Sequence, residues 1–310
     1  MESKKGDKNS NLFFLLEEAK NNLSLEATLF VFIWFSLYVI GMSFVQFGIS
    51  VLDLPDFSEL FKGLIKGQYL EYLTTLKIIQ IVLHLFQYLV PALFFTFIVY
   101  KKDALKILYA DSIPSLKNLI LGLALIISIY PLISFIYYWN TQLLPTNVIA
   151  QDKLEIQRVF LEMNSLFDLF LNLLLLGLVA GVGEELLFRG ILQRLLTLWT
   201  NNIHYGAILT GAIFSLMHFQ LEGFFPRFIL GVLFCYMLIF SGSIWLSVLI
   251  HILFNSIQVL IPYFYQSAID TVSNVAPISP FYALGSGFAF AGFLITFIKV
   301  NSDYKYIALK

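Results

Sequence analysis

Charge is what this chain of 310 residues has least of. Only 13% of its residues are Asp, Glu, Lys or Arg, against roughly 25% in an ordinary soluble domain, which excludes a water-soluble globular protein. The few charges also balance, 19 basic against 20 acidic for a formal net of −1, so no field favours nucleic acid or an acidic partner. Cysteine is nearly missing too. Cys235 stands alone, which rules out a disulfide framework and a cysteine-based metal site; within its apolar run it reads as a small filler. Neither a repeat nor a low-complexity tract interrupts the chain.

What fills the chain instead is hydrocarbon. Hydrophobic residues make up 59% and the mean hydropathy is +0.82. A helix needs roughly 20 apolar residues to cross a hydrocarbon core about 30 Å thick. By that ruler, spans are expected near 26–50, 75–100, 117–138, 166–188, 204–220, 226–241, 243–262 and 281–299. The expected fold class is all-α, a polytopic integral membrane protein of about eight transmembrane helices. Four segments follow: a cytoplasmic amphipathic piece (1–25), helices 1–3 with an outer loop (26–165), a core of helices 4–7 (166–262), and an outer loop, last helix and cytoplasmic tail (263–310).

Lysine and arginine set the orientation. With the N-terminus inside, cytoplasmic segments hold 13 of the 19 basic residues, and the 266–280 loop holds none. Both termini are therefore expected in the cytoplasm. The first span is too long for the apolar region of a signal peptide and is read as an uncleaved anchor. Pro91 and Pro131 fall within the second and third spans and should kink them, with neighbouring helices taking up the freed backbone groups. Ala207 and Gly211 share the small-xxx-small spacing that lets helices approach closely.

Against this apolar ground, adjacent carboxylates stand out by their surroundings. Glu17 and Glu18 lie beside Lys20 in a polar stretch and need no function. Glu184 and Glu185 lie in a membrane span, where a charge costs about 2.5–3.5 kcal/mol on insertion scales. Arg189 follows Glu185 by four residues, on the same helix face and within pairing reach. Glu184 is turned about 100° away, which leaves it free to act. His218 comes four residues after Phe214, and His251 four before Asn255. His84 is read as a satisfied core histidine and His204 as part of a polar turn. Measured from a turn at Asn201 and Asn202, Glu184 and His218 reach nearly the same height. His251 joins them only if the 189–203 hairpin projects about 10–15 Å beyond its neighbours. Such a set could take a proton from water and stabilise an oxyanion. Alternatively His218, His251 and Glu184 could hold zinc, though the His-Glu-x-x-His signature is missing.

These motifs resemble those of the CAAX protease and bacteriocin-processing (CPBP, or Abi) family of intramembrane proteases. Glu-Glu-x-x-x-Arg is matched by Glu184, Glu185 and Arg189, Phe-x-x-x-His by Phe214 and His218, and His-x-x-x-Asn by His251 and Asn255. The resemblance covers about 166–262. It implies an eight-helix bundle with a conical intramembrane cavity open to the cytoplasm, and hydrolysis of a peptide bond in a peptide or membrane-protein substrate. Glu184 would be the base, His218 would help activate water, and His251 with Asn255 would stabilise the oxyanion. Glu185, Arg189 and Phe214 would support them. Zinc is the one candidate cofactor, since family members are described both as metalloproteases and as glutamate proteases. Short loops and the uncleaved anchor resemble bacterial members of the inner (plasma) membrane. Two alternatives stay open: a non-catalytic immunity or partner-binding protein that retains the fold, and a proton-coupled transporter.

Overall fold

The structure is a computed structural model that describes residues 16–145, 151–265 and 277–302. Among the described residues every regular element is helical. In chain order they are α1 (Leu23–Val51), α2 (Phe57–Ile65), α3 (Leu73–His84, a π-helical turn over Leu85–Leu89, then Val90–Tyr100), α4 (Leu116–Leu143), α5 (Gln151–Leu161) and α6 (Leu166–Thr200). Then come α7 (Ile203–Leu216), α8 (Phe224–Ser241), α9 (Ile244–Phe264) and α10 (Pro280–Val300). Polar side chains mark several starts. Asn22, Ser115, Ser165 and Asn202 each accept a hydrogen bond from a backbone N–H of the following first turn, satisfying donors that a helix leaves open there.

The chain is a multi-pass membrane protein. Seven helices (α1, α3, α4, α6, α8, α9 and α10) are long and apolar enough to cross a bilayer. Large apolar side chains such as Phe35, Phe47, Phe281 and Phe288 point outward on α1 and α10, where hydrocarbon would cover them. The fifth expected span differs from its sequence outline. The helix α7 has only 14 residues and ends at Leu216, so His218 lies beyond it, in a turn where Phe219 takes a left-handed φ of 52°. The turn begins at Met217 without a Gly or Pro, ahead of the polar Gln220 and Glu222, so the sequence does not mark where the helix stops. The turn still reaches far across. Ile203 packs near Tyr236 and Phe240, while at the other end Asn140 of α4 donates to the carbonyls of Leu221 and Glu222, both at 2.8 Å.

The close approach expected from Ala207 and Gly211 is present between α7 and α8. A Cβ on Gly211 would sit 2.7 Å from Val232 Cγ2 and 3.0 Å from its nitrogen, and one on Gly231 would meet Gly211 Cα at 2.9 Å. Both prolines are accommodated by neighbours. Pro91 cannot donate to the Gln87 carbonyl four residues back, and the Trp34 indole on α1 donates to it instead at 2.7 Å. Beside Pro131, the Ser286 hydroxyl of α10 accepts from Leu132 N at 3.1 Å and donates to Ser128 O at 2.8 Å. Cys235 is fully buried and unpaired, as a filler should be. Glu17 is partly exposed, and a hydrogen bond from Lys20 at 3.2 Å, with Lys101 at 3.6 Å, holds its carboxyl below the ordinary range. The residues 11–15 of the amphipathic stretch, most of the 266–280 loop, and Lys305 and Lys310 lie outside the described residues.

One long-range contact ties α1, α3 and α6 together. Glu26 of α1 accepts from Arg194 of α6 and from the Tyr100 hydroxyl at the end of α3, each at 2.5 Å, and Glu26 and Arg194 are 2% and 1% exposed. Within the 189–203 stretch, Arg189, Gln193 and Arg194 are all buried and held by protein groups rather than exposed on a projecting hairpin. Removing one member of such a buried pair leaves an unmatched charge, at a cost of about 3–5 kcal/mol. Arg194→Leu should therefore lower thermal stability in detergent by that order, and Glu26→Leu/Arg194→Leu should recover more than half of the loss.

Candidate active site

The two carboxylates sit on a short α-helical piece, Ala180–Glu185, between π-helical stretches at Leu173–Val179 and Leu186–Leu192. Insertions of this kind re-aim side chains and recur at functional sites. Two glycines bring other helices against this piece. A Cβ on Gly181 would lie 3.1 Å from Ile252 N and 3.2 Å from its Cα, so α9 rests on the backbone of α6 one residue past His251. A Cβ on Gly183 would lie 3.2 Å from Tyr88 Cβ and 3.3 Å from Leu89 N, so the π turn of α3 does the same on another side. Glu185 then faces α9, and Glu184 lies where α3, α6 and α9 meet.

Glu185 is completely buried. Its Oε1 accepts from Arg189 at 2.7 Å and lies 2.8 Å from His251 Nδ1. Arg189 also donates to the Gly231 carbonyl at 3.1 Å and lies over the rings of Phe214 and Phe234, 4.5 and 5.2 Å from their centroids. The expected pairing of Glu185 with Arg189 is thus present, extended by a histidine. Since a carboxylate only accepts, His251 Nδ1 carries the proton. Its Nε2 faces the other carboxylate, 3.9 Å from Glu184 Oε2, and Phe234 stacks on its ring at 4.9 Å.

Glu184 is 6% exposed. Its Oε1 lies 3.2 Å from the Nε2 of His84 on α3, which sequence reasoning had set aside as a core histidine. The two residues lie on different helices, and no local spacing connects them. The signal that was present is general: an ionisable side chain within a membrane span marks a functional site by default. His218 lies within electrostatic range of both Glu184 and His251, with Nδ1 2.9 Å from the Phe214 carbonyl. Phe214 is the hub of the packing, with ring contacts to His218, His251 and Phe188 at 5.1, 6.1 and 5.2 Å. Asn255 donates to the Leu176 carbonyl at 2.9 Å, in a π-helical stretch of α6, so one of its two amide N–H groups is engaged there. His204 is exposed and bonds Tyr236 OH at 2.8 Å, as a turn residue.

Among the described residues no group of three or more His, Cys, Asp or Glu side chains is arranged to hold a metal ion. His218, His251 and Glu184 do not form such a group. His251 turns its Nδ1 to Glu185, and Glu184 turns one oxygen to His84. A groove of about 420 Å³ lies elsewhere, between α4 and α8, lined by Phe135, Ile136, Trp139, Asn140, Leu143 and Phe225.

The buried Glu184 thus faces a histidine that a second carboxylate orients, and the Glu185–His251 contact is one that the spacing of the motifs did not foresee. Residues 166–257 match the Rce1-like family. Its model is described as Rce1-like, type II CAAX prenyl endopeptidase. The match begins at the start of α6, ends within α9 and contains Glu184, Glu185, Arg189, Phe214, His218, His251 and Asn255; His84 falls outside it. No curated protein and no solved structure matches the chain.

The glycine contacts make the Rce1-like segment sensitive to bulk. Gly181→Val would press α9 off α6 through backbone atoms, and overpacking of this kind costs about 1–3 kcal/mol. Gly292 has nothing within 4 Å of its added Cβ. Gly181→Val should lower the melting temperature in detergent, and Gly292→Val should leave it within experimental error.

Proposed function

We propose that this chain is an intramembrane endopeptidase that hydrolyses a peptide bond in a peptide or membrane-associated protein substrate, with Glu184 as the base. The observation that supports it most is the pairing across α6 and α9: a buried carboxylate opposite a histidine whose ring is fixed from behind by Glu185 and Arg189. The Rce1-like match supports the same chemistry.

The 3.9 Å between Glu184 Oε2 and His251 Nε2 is too long for a direct hydrogen bond and leaves a place for the reacting oxygen. Glu184 takes a proton from water as the water oxygen bonds to the substrate carbonyl carbon, with His218 helping to orient that water. The carbonyl electron pair moves onto oxygen and gives a tetrahedral oxyanion. His251 acts as an imidazolium. With Nδ1–H committed to Glu185, only the protonated ring offers a second N–H, from Nε2, to the oxyanion. The charges then balance, Arg189 and His251 against Glu184 and Glu185. The second amide N–H of Asn255 adds a donor. When the intermediate collapses, the C–N bond breaks and the amine leaves with the proton that Glu184 holds. No step is routed through a metal.

The substrate class named in the family's description is the prenylated CAAX protein, so a farnesylated CAAX peptide is one probe and a mixed library of plain peptides is the other. We also propose that the protein lies in the plasma membrane with both termini cytoplasmic, on the lysine and arginine distribution.

Peptide cleavage by the purified full chain in detergent should fall about 10²–10⁴-fold in kcat for Glu184→Gln, the usual contribution of a positioned base. Wild-type cleavage should survive a strong zinc chelator. Its loss would move water activation to a metal, and no cleavage of either probe by folded wild type would overturn the endopeptidase proposal in favour of partner binding. A tag placed within 266–280 should be reached by a membrane-impermeant reagent from outside intact cells.

A further inference from the structure

Several polar groups take no part in the proposed chemistry, among them the buried Glu26–Arg194–Tyr100 contact, Lys77 on α3, and His84, which is only partly buried but whose Nε2 is enclosed. The first is structural, and Lys77 Nζ is fully buried with no hydrogen-bond partner to indicate a ligand. His84 is different because it touches the proposed base. Its Nε2 lies 3.2 Å from Glu184 Oε1, turned off the line of an ideal hydrogen bond.

We infer that His84 is a positioning residue for Glu184: it holds one carboxylate oxygen so that the other faces the reacting centre. Both oxygens of Glu184 are chemically equivalent, and rotation about the terminal bond of an unheld side chain is soft. The surroundings make them different. Oε1 is approached at 3.2 Å by His84, whereas Oε2 stands 3.9 Å from His251, a separation at which one oxygen placed beside the line joining them is within hydrogen-bond reach of both. A base held in one orientation keeps its proton-accepting oxygen within reach of water.

The fold around His84 favours this role. The π turn of α3 begins at the next residue, Leu85, and the missing side chain of Gly183 lets that turn lie against α6 one residue before Glu184. The ring of His84 packs on Tyr88 at 4.5 Å, and Tyr88 in turn meets Phe188 at 5.9 Å. The imidazole is thus braced by an aromatic that is itself 5% exposed. All of this comes from α3, outside the matched segment 166–257, so the base would draw its orientation from a helix that the three motifs do not include.

Since His84 acts through Glu184, the inference rests on the endopeptidase proposal, and the variants are chosen to separate the two. The full chain in detergent is compared as wild type, His84→Leu, His84→Gln, Glu184→Gln and His84→Leu/Glu184→Gln, each checked for folding by its melting temperature and by gel filtration. The farnesylated CAAX peptide and the plain peptide library serve as probes. His84→Leu should lower kcat about 10–100-fold, the scale of misplacing a catalytic group, with KM within about twofold, the mark of a loss confined to the chemical step. His84→Gln, whose amide N–H can reach the position of Nε2, should recover most of the rate. In the Glu184→Gln background, His84→Leu should cause no further loss.

Unchanged kcat in His84→Leu, equal loss in the Leu and Gln variants, or a further loss in the double variant would overturn the inference while Glu184→Gln still tests the base. Wild-type rates in Glu184→Gln, or no cleavage by wild type, would overturn the endopeptidase proposal, and the positioning role with it.

Discussion

Glu185 is the constraint to which the rest of the centre is fitted. A carboxylate with no exposure in the middle of an apolar bundle must be matched by positive charge and by donors. It is matched twice on one oxygen, by Arg189 from its own helix and by His251 from α9. Each partner then fixes something else. Arg189 reaches the Gly231 carbonyl and so ties α6 to α8, and the flat faces of Phe214 and Phe234 cover its guanidinium. His251 has its ring orientation set by the carboxylate and turns Nε2 toward Glu184. The burial of one acid therefore determines the pose of a histidine that could not hold it alone.

Charge matching of this kind works only if helices come close enough, and the chain achieves that by omission. Gly181 and Gly183 lie on either side of Val182, and each removes the side chain that would keep another helix away, α9 at the first and α3 at the second. The π-helical stretches on both sides of Ala180–Glu185 shift the register, so that consecutive glutamates serve different neighbours. Helix ends and proline breaks are satisfied by groups from other helices, such as the Trp34 indole on the Gln87 carbonyl. Few of these contacts are local, which is why a bundle with so little charge still has a defined centre.

How legible each part was in the sequence follows from the range of the contact that makes it. The spans of α1, α3, α4, α6, α8, α9 and α10 could be read because hydrophobicity over roughly 20 residues is a local property. Glu185 with Arg189 could be read because four residues is one helical turn. Helix heights matched Glu184 with His218 and admitted His251 only if the 189–203 hairpin projected; the contact of His251 with Glu185 was not foreseen. His84 with Glu184, and Glu26 with Arg194, could not be found in this way. Their partners lie on other helices, and nothing in the spacing of either sequence neighbourhood points across. The end of α7 was hidden for another reason. The left-handed φ falls on Phe219, a residue without the freedom of glycine, so no turn-forming residue marks it.

That hidden turn bears on how water reaches the centre. A helix satisfies its own backbone groups in hydrocarbon; an irregular turn at membrane depth does not, and persists only where protein buries it or where it lines a wet space. Both conditions are met in part at residues 217–223. The Leu221 and Glu222 carbonyls accept from Asn140, and Arg227 donates to the Gln220 carbonyl at 3.3 Å. Glu222 is 1% exposed, and both its carboxylate oxygens lack a hydrogen-bond partner among the described residues. Buried polar groups of that kind are commonly met by ordered water. His218 projects from the same turn, within electrostatic range of Glu184. A continuous apolar helix through this stretch would bury the approach to Glu184 in hydrocarbon, whereas a polar turn brings groups that hold water to the same depth as the base. The shortening of α7 and the hydrolytic chemistry proposed here are, on this view, two consequences of one break in the helix.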